Sequence, residues 1–356
     1  MLIKKHKIFF LYPVTYSTFV REDDRILSQH YHLSKYLFRT SKKAFPLLFE
    51  LKKLSIVSIF TLWKYKIIYC WFAGYHSLIP AIIGRLYGKK VVIAVGGVDA
   101  VCIPSIKFGV FWKKNLMTLF ARKTYQLANL IIPVDQSLVE SINYYADPSG
   151  KGYLEGIKHF VKKIKGNIQV VPTGYDEKKW CPQSNVNRKK SVITIGFIPD
   201  LQRFKLKGFD LLIEVASLVP DTEFYLIGLS ENMTIYAKTI SGNNVHLIGY
   251  TPNEKLPEIF SSHKVFAQFS MSEGLPNTLC EAMLCECIPV GSNVNGIPEA
   301  IGDCGYILYE KDSLKASELI RKALNADSEL GINARKRIIE KYPVSKREKT
   351  LFQLLK

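Results

Sequence analysis

Two successive sets of short apolar runs, each run followed by a helical pattern, constrain this chain more than any other property. Lys7 to Tyr12, Ile67 to Phe72, Lys90 to Val95, Asn129 to Val134 and Ile168 to Pro172 read as buried strands of a first set. Ser191 to Phe197, Glu223 to Gly228, Val245 to Gly249, Lys264 to Ser270, Ile288 to Ser292 and Gly305 to Tyr309 form a second. Continuous apolar strands alternating with helices predict parallel sheets wound on both faces. Between the sets lies a polar, turn-rich stretch, Thr173 to Ser191, which reads as a linker. The expected organisation is therefore α/β, with two Rossmann-like doubly wound domains, 1–170 and 171–342, facing each other across a cleft. A terminal helix over 343–356 completes the chain. Ligands of such sheets sit at the carboxyl ends of the strands.

One stretch of the second set carries chemistry. Ser272 to Ala300 reads SEGLPNTLCEAMLCECIPVGSNVNGIPEA, with Glu273 and Glu281 eight residues apart. A strand, a turn (Gly274, Leu275, Pro276) and a helix start place the amides of Asn277, Thr278 and Leu279 at the strand's carboxyl end. That arrangement suits an anion. Ionised carboxylates accept hydrogen bonds and donate none, so Glu281 suits a ribose diol and Glu273 a sugar's hydroxyls. On spacing alone, two surface glutamates flanking a helix start fit equally well.

The run EGLPN…EAM…IPV…GIPE resembles the retaining glycosyltransferases of the GT-B type, the large group-4 family with nucleotide-sugar donors. The resemblance implies that Glu273 meets the donor sugar and Glu281 the ribose. It also implies a UDP- or GDP-linked co-substrate, no cofactor and no metal. Pro172, Gly174 and Asp176 match the family's linker pattern. The family's Gly-Arg, loop, Lys-Gly pattern is met in part: Phe197 follows Gly196, while Lys207-Gly208 stands where expected. Lys207 with Arg203 is the expected diphosphate pair, and Lys205 is the competitor. The family's His-Gly-x-Asp appears as Gly96-Gly97-Val98-Asp99, so an imidazole is replaced by Gly96 at a donor-side turn. His76 and Arg21 are the acceptor-side candidates, His76 with the alternative of no role, and loop amides at Thr15 to Ser17 are a further donor contact. In Cys285-Glu286-Cys287, Glu286 takes the place of a helix-capping glycine, which predicts a positive φ.

Composition narrows the rest. Residues 1–166 hold 26 Lys+Arg against 9 Asp+Glu, a net of +17, while 167–356 hold 23 against 22. Lys42, Lys43, Lys52 and Lys53 flank Phe45, Leu47, Leu48 and Phe49. Lys113, Lys114, Arg122 and Lys123 flank Phe111, Trp112, Leu116 and Phe120. Mixed cationic and apolar runs predict docking on an anionic membrane. No RNA-type aromatic motif or recognition helix supports nucleic acid as the partner. Ile67 to Gly84 lacks charged residues, but Gly74, His76, Ser77 and Pro80 divide it into strand, turn and helix. His30 and His32 read as a helix surface. The seven cysteines have no metal spacing and read as free thiols of a reducing compartment. Together these predict a glycosyltransferase, peripheral on the inner membrane face, acting on a glycan or lipid-linked acceptor. The absence of a GxGxxG after any strand argues against a nicotinamide-dependent oxidoreductase. A non-catalytic nucleotide-sugar or glycan-binding module and a GT-B epimerase are the remaining alternatives.

Overall fold

In a computed structural model, residues 6–13, 17–41 and 43–356 are described. Thr15, Tyr16 and Lys42, named above, lie outside them. The chain divides into two units. The first comprises residues 1–141, 154–173 and 345–356, and the second 142–153 and 174–344.

The first unit contains β1 (Lys7–Pro13), α1 (Thr18–His30), β2 (His32–Phe38), α2 (Ala44–Thr61), β3 (Ile67–Trp71), α3 (Tyr75–Leu86), β4 (Lys90–Val95), α4 (Leu116–Leu127) and β5 (Leu130–Pro133). A short ladder of β6 (Ser141–Asn143) and β7 (Tyr153–Glu155) brackets the excursion that joins the second unit. After it come α5 (Ile157–Phe160) and β8 (Asn167–Ile168). The sheet order is β2-β1-β3-β4-β5-β8, with every neighbouring pair parallel. The order reverses between β1 and β3, which is where a doubly wound sheet opens for ligands.

Apolar content sets these strands. Ile67 to Trp71 and Val91 to Val95 are all buried, and Pro80 is buried inside α3. The uncharged segment 67–84 is thus a central strand and its helix. β2 was not expected. Its alternation is weak (HLSKYLF) because it is an edge strand with only Phe38 buried, so the period-2 signal is diluted. His32 consequently starts a strand and does not lie on a helix surface, whereas His30 ends α1 beside Glu348.

The second unit holds β9 (Lys189–Ile198), α6 (Leu201–Leu206), α7 (Phe209–Leu218), β10 (Phe224–Leu229), α8 (Glu231–Lys238), β11 (Val245–Ile248), α9 (Leu256–Ser261), β12 (His263–Gln268), α10 (Asn277–Leu284), β13 (Ile288–Ser292), α11 (Ile297–Ile301), β14 (Tyr306–Leu308), α12 (Ser313–Asn325) and α13 (Glu329–Lys341). Its sheet order is β11-β10-β9-β12-β13-β14, all parallel, with the switch between β9 and β12. The 142–153 excursion had no signature in the sequence. It is tied down within this unit by the Asn143 side-chain N–H, which donates to the Met271 carbonyl at 2.8 Å.

The last helix, α14 (Val344–Leu355), places Arg347 in the core of the first unit. Its Nε and one terminal nitrogen donate to both oxygens of Asp23, at 2.7 and 2.8 Å. The other terminal nitrogen donates to the carbonyls of Val171 and Pro172, at 2.7 and 2.9 Å. Tyr69 Oη adds a third donor to Asp23, at 2.7 Å. Both charged groups are almost wholly buried, and such a pair is tolerable only because each hydrogen-bonding position is filled.

Arg347→Ala leaves Asp23 charged and unpaired in the core. Removing one partner of a buried pair costs about 3–5 kcal/mol. Urea denaturation should show that loss, and Asp23→Leu combined with Arg347→Met should recover most of it. A loss below about 1 kcal/mol for the single change would mean that the pair does not hold the helix.

Candidate functional site in the second unit

Lys207 and Glu273 are far apart in sequence, and the backbone brings them together. The loop after α6 is clipped to the loop after β12 by Met271 N–H donating to the Leu206 carbonyl at 2.7 Å. Gly208 makes the approach possible. Its φ is +70°, and a Cβ there would lie 2.2 Å from the Phe269 carbonyl oxygen. Lys207 therefore stands beyond β9, and Glu273 beyond β12, at the switch of strand order.

Lys207 Nζ donates to Glu273 Oε1 at 2.6 Å. Gln268 Nε2 and Ser270 Oγ donate to the same oxygen, both at 2.7 Å. Oε2 takes no partner among the described residues. One carboxylate oxygen is thus fixed by three donors while the other is open. The ammonium has three N–H donors and spends one on Glu273. The Glu273 N–H donates to Asn295 Oδ1 at 2.8 Å, and Asn295 is in the left-handed region at φ +47°. Gly296 N–H donates to the Gly274 carbonyl at 3.1 Å, tying the same two loops. The Asn295 carboxamide thus holds the Glu273 backbone. Gln268 and Ser270 were missed, because strand-end polar residues carry no signal apart from the carboxylate they orient.

α10 begins at Asn277 without a side-chain cap, so its first amides, those of Asn277, Thr278 and Leu279, lack intrahelical acceptors. Tyr175 Oη donates to Asn277 Oδ1 at 3.0 Å, and Thr278 Oγ1 lies 3.5 Å from Gln268 Oε1. Leu275 and Pro276 are buried in the preceding turn. Glu281, one turn in, is 6% exposed, and its carboxylate is bonded to no described residue. Burial pushes that carboxyl up to about 7, with Lys179 pulling the other way. Arg203 is half-buried on α6 with its N–H on Asp200 Oδ1 at 2.8 Å, and Lys205 is exposed. Phe197 is 73% exposed where the family resemblance expects an arginine. Glu286 has φ +63° at the end of α10, so a non-glycine residue occupies the left-handed position there.

The first-unit candidates are placed differently. His76 is buried, and its Nε2 is 2.8 Å from the Trp71 carbonyl. A carbonyl only accepts, so Nε2 carries the proton. Burial lowers the imidazole to about 4, leaving it neutral near pH 7. This is a core histidine, and the expected acceptor contact is corrected. It was misplaced because the turn after β3 folds its side chain inward. Asp99 is also fully buried, accepting from Ala73 N–H at 2.9 Å and Tyr125 Oη at 2.7 Å. Burial raises it to about 6. It braces the turn and offers no surface to a donor. A Cβ at Gly96 would lie 2.7 Å from the Phe72 ring, so a side chain there requires that ring to move. Gly97 has φ +138° in the same turn. Arg21 is exposed on α1.

A lysine and a glutamate thus meet beyond the switch of strand order in a parallel sheet. Residues 176–343 match the family model of the glycosyl transferases group 1. Over 181 residues the chain is 28% identical to the phosphatidylinositol N-acetylglucosaminyltransferase GPI3 subunit of Saccharomyces cerevisiae, covering 45% of this chain and 40% of that protein. Over 84 residues it is 34% identical to O-antigen chain mannosyltransferase B of Escherichia coli, covering 24% and 22%. The matched part therefore spans less than half the length of these curated relatives. Among solved structures, sucrose-phosphate synthase from Thermosynechococcus elongatus superposes with a TM-score of 0.74 at 14% identity, over 98% of each chain. Anabaena HepE, solved with UDP and glucose, gives 0.70 at 15% identity, over 98% of this chain and 99% of that one. At that identity the likeness establishes the fold, which is GT-B.

A folded-state value near 7 for Glu281 means that the folded protein keeps this proton to higher pH than the unfolded chain does. Its burial therefore costs stability as pH rises from the ordinary glutamate range through 7. Glu281→Gln should raise the Tm relative to wild type at pH 8, by the equivalent of about 2–3 kcal/mol, and leave it unchanged at pH 4. An equal Tm at pH 8 would show that the carboxylate is not held in a desolvated site.

Proposed function

We propose that the chain is a retaining glycosyltransferase. It moves a sugar from a UDP- or GDP-linked donor to a glycan or lipid-linked acceptor, without a metal, in cell-surface polysaccharide synthesis. The observation that carries this is the half-occupied Glu273 beside a lysine that still has two free N–H donors. When the bond between sugar and phosphate breaks, negative charge develops on the departing diphosphate. Lys207, with Arg203 as second cation, stabilises it. Glu273 Oε2 accepts from donor-sugar hydroxyls. Glu281 accepts from the ribose diol and so gains the partners that its buried carboxylate lacks. The acceptor hydroxyl attacks from the face the diphosphate leaves, and the departing phosphate oxygen takes its proton. The names of the curated relatives, one for phosphatidylinositol and one for the O-antigen chain, support a membrane-linked acceptor. The exposed Phe197 favours a second reading, a module that binds donor without transferring sugar.

Glu281→Ala should weaken nucleoside diphosphate binding, since hydrogen bonds to charged groups are worth about 1.5–3 kcal/mol. Glu273→Ala should leave that binding nearly unchanged and remove transfer from the intact donor. Calorimetry with UDP and GDP and a transfer assay run in EDTA decide the matter. Equal loss of nucleotide binding in both variants overturns the roles. Activity restored only by Mg²⁺ or Mn²⁺ overturns the metal-free mechanism. Donor binding without transfer favours the module.

A membrane-surface location on the inner face is part of the same proposal. Among the described residues no helix is long and apolar enough to cross a membrane. α2 is nevertheless poorly covered: only Leu54 and Ser58 of its eighteen residues are buried. Phe45, at 82%, and Leu48, Phe49, Ile56, Ile59 and Phe60 are exposed, with Lys43, Lys52 and Lys53 among them. Apolar area combined with cations is what an interfacial helix requires. The second run expected from the sequence contributes less, because Phe111 is buried against Phe160, their rings 4.3 Å apart. Co-sedimentation should show binding to anionic vesicles at low salt that falls as the Debye length shrinks from about 10 Å to about 3 Å. Phe45→Ser with Phe49→Ser should abolish it. Absence of binding at low salt removes the membrane surface from the proposal.

A further inference from the structure

The first unit carries a concave site that the glycosyl-transfer reading does not use. It lies at the amino ends of β5 and β8, opposite the strand ends where parallel sheets ordinarily bind ligands. The space measures about 650 Å³ and is lined by Arg85 from the last turn of α3, Lys123 and Gln126 from α4, Asn129 before β5, and Lys163 and Lys165 before β8. No carboxylate lines it. None of the four cations is in an ion pair among the described residues. Four like charges converging without a counter-charge repel one another, and the potential in such a concavity favours an anion.

Neutral groups complete the lining. Asn129 Oδ1 accepts from Val91 N–H at 2.9 Å, so its NH₂ is left as a donor. Gln126 Nε2 donates to the Lys162 carbonyl at 2.8 Å and fixes the loop that bears Lys163. Lys163 has φ +61°. A left-handed conformation costs a lysine about 1–2 kcal/mol, and strain of this sort gathers where a side chain is held for a purpose.

We propose that this pocket binds a phosphate or diphosphate group. Arginine matches phosphate oxygens with two parallel N–H donors, and lysines supply point charges around it. The ligand chemistry has two sources, a free polyphosphate or the headgroup of a phospholipid. The second is suggested by Leu86, next to Arg85 and 79% exposed. The inference stands apart from the role given to the second unit, and its failure would leave that role untouched.

Hydrogen–deuterium exchange with inorganic pyrophosphate tests it on the full chain, because protection is read segment by segment. Residues 123–129 and 161–167 should be protected. The variant Lys123→Gln, Lys163→Gln, Lys165→Gln should weaken that protection about tenfold or more, as expected for losing at least one charged hydrogen bond. A control, Lys64→Gln with Lys349→Gln, removes exposed charge from the same unit outside the pocket and should leave it unchanged. Vesicles of phosphatidylcholine with phosphatidylglycerol then identify the source. Protection of the same segments by these vesicles identifies a lipid headgroup, and protection by pyrophosphate alone identifies a free anion. Protection confined to residues 203–208 and 270–281, or the same loss in the control, overturns the proposal.

Discussion

The guanidinium of Arg347 gathers three distant pieces of the chain. Its donors reach Asp23 on α1, the carbonyls of Val171 and Pro172 after β8, and through Asp23 the hydroxyl of Tyr69 on β3. A planar fork with fixed donor directions can satisfy a carboxylate and two carbonyls at once, and an ammonium cannot. The interaction is favourable only when complete, since each missing bond would leave a buried charge exposed to an apolar interior. The seat of the last helix follows from that requirement.

The two glutamates of the second unit stand in opposite environments. Glu273 meets three donors on one oxygen and none on the other. One of its oxygens is held and the other is open. Glu281 is buried with no bond to its carboxylate, and burial raises it to about 7. The first is held in readiness by its neighbours. The second is held at a cost that a partner with two hydroxyl donors would relieve. The contrast comes from position, because Glu273 lies on a loop rimmed by polar strand ends and Glu281 on the inner side of a helix.

Much of the architecture was legible because buried parallel strands are written as continuous apolar runs. β4 and β13 have the limits expected from sequence. What escaped was either partly exposed or settled by distant contacts. β2 lacked alternation because it is an edge. The 142–153 excursion is fixed by Asn143 meeting Met271, a pairing that no local pattern encodes. At the site, Glu273, Lys207 and Glu281 stood out through a family resemblance, whereas Gln268, Ser270 and Asn295 matter through what they hold. At the turn after β4, the Phe72 ring that follows the neighbouring strand β3 lies where a Cβ on Gly96 would be. His76 misled because a histidine after a strand reads alike whether it points outward or back onto the Trp71 carbonyl.

The interleaving of the units has a consequence for the order of events during synthesis. Arg347, the partner of Asp23, is made 324 residues after it. At roughly 5–20 residues per second, that gap is on the order of 20–60 s. Throughout it the nascent first unit holds an acidic side chain in an apolar setting without its counter-ion. The second unit, residues 142–153 and 174–344, has every one of its residues in hand before that wait ends. The first unit is therefore completed only after every residue of the second has been made.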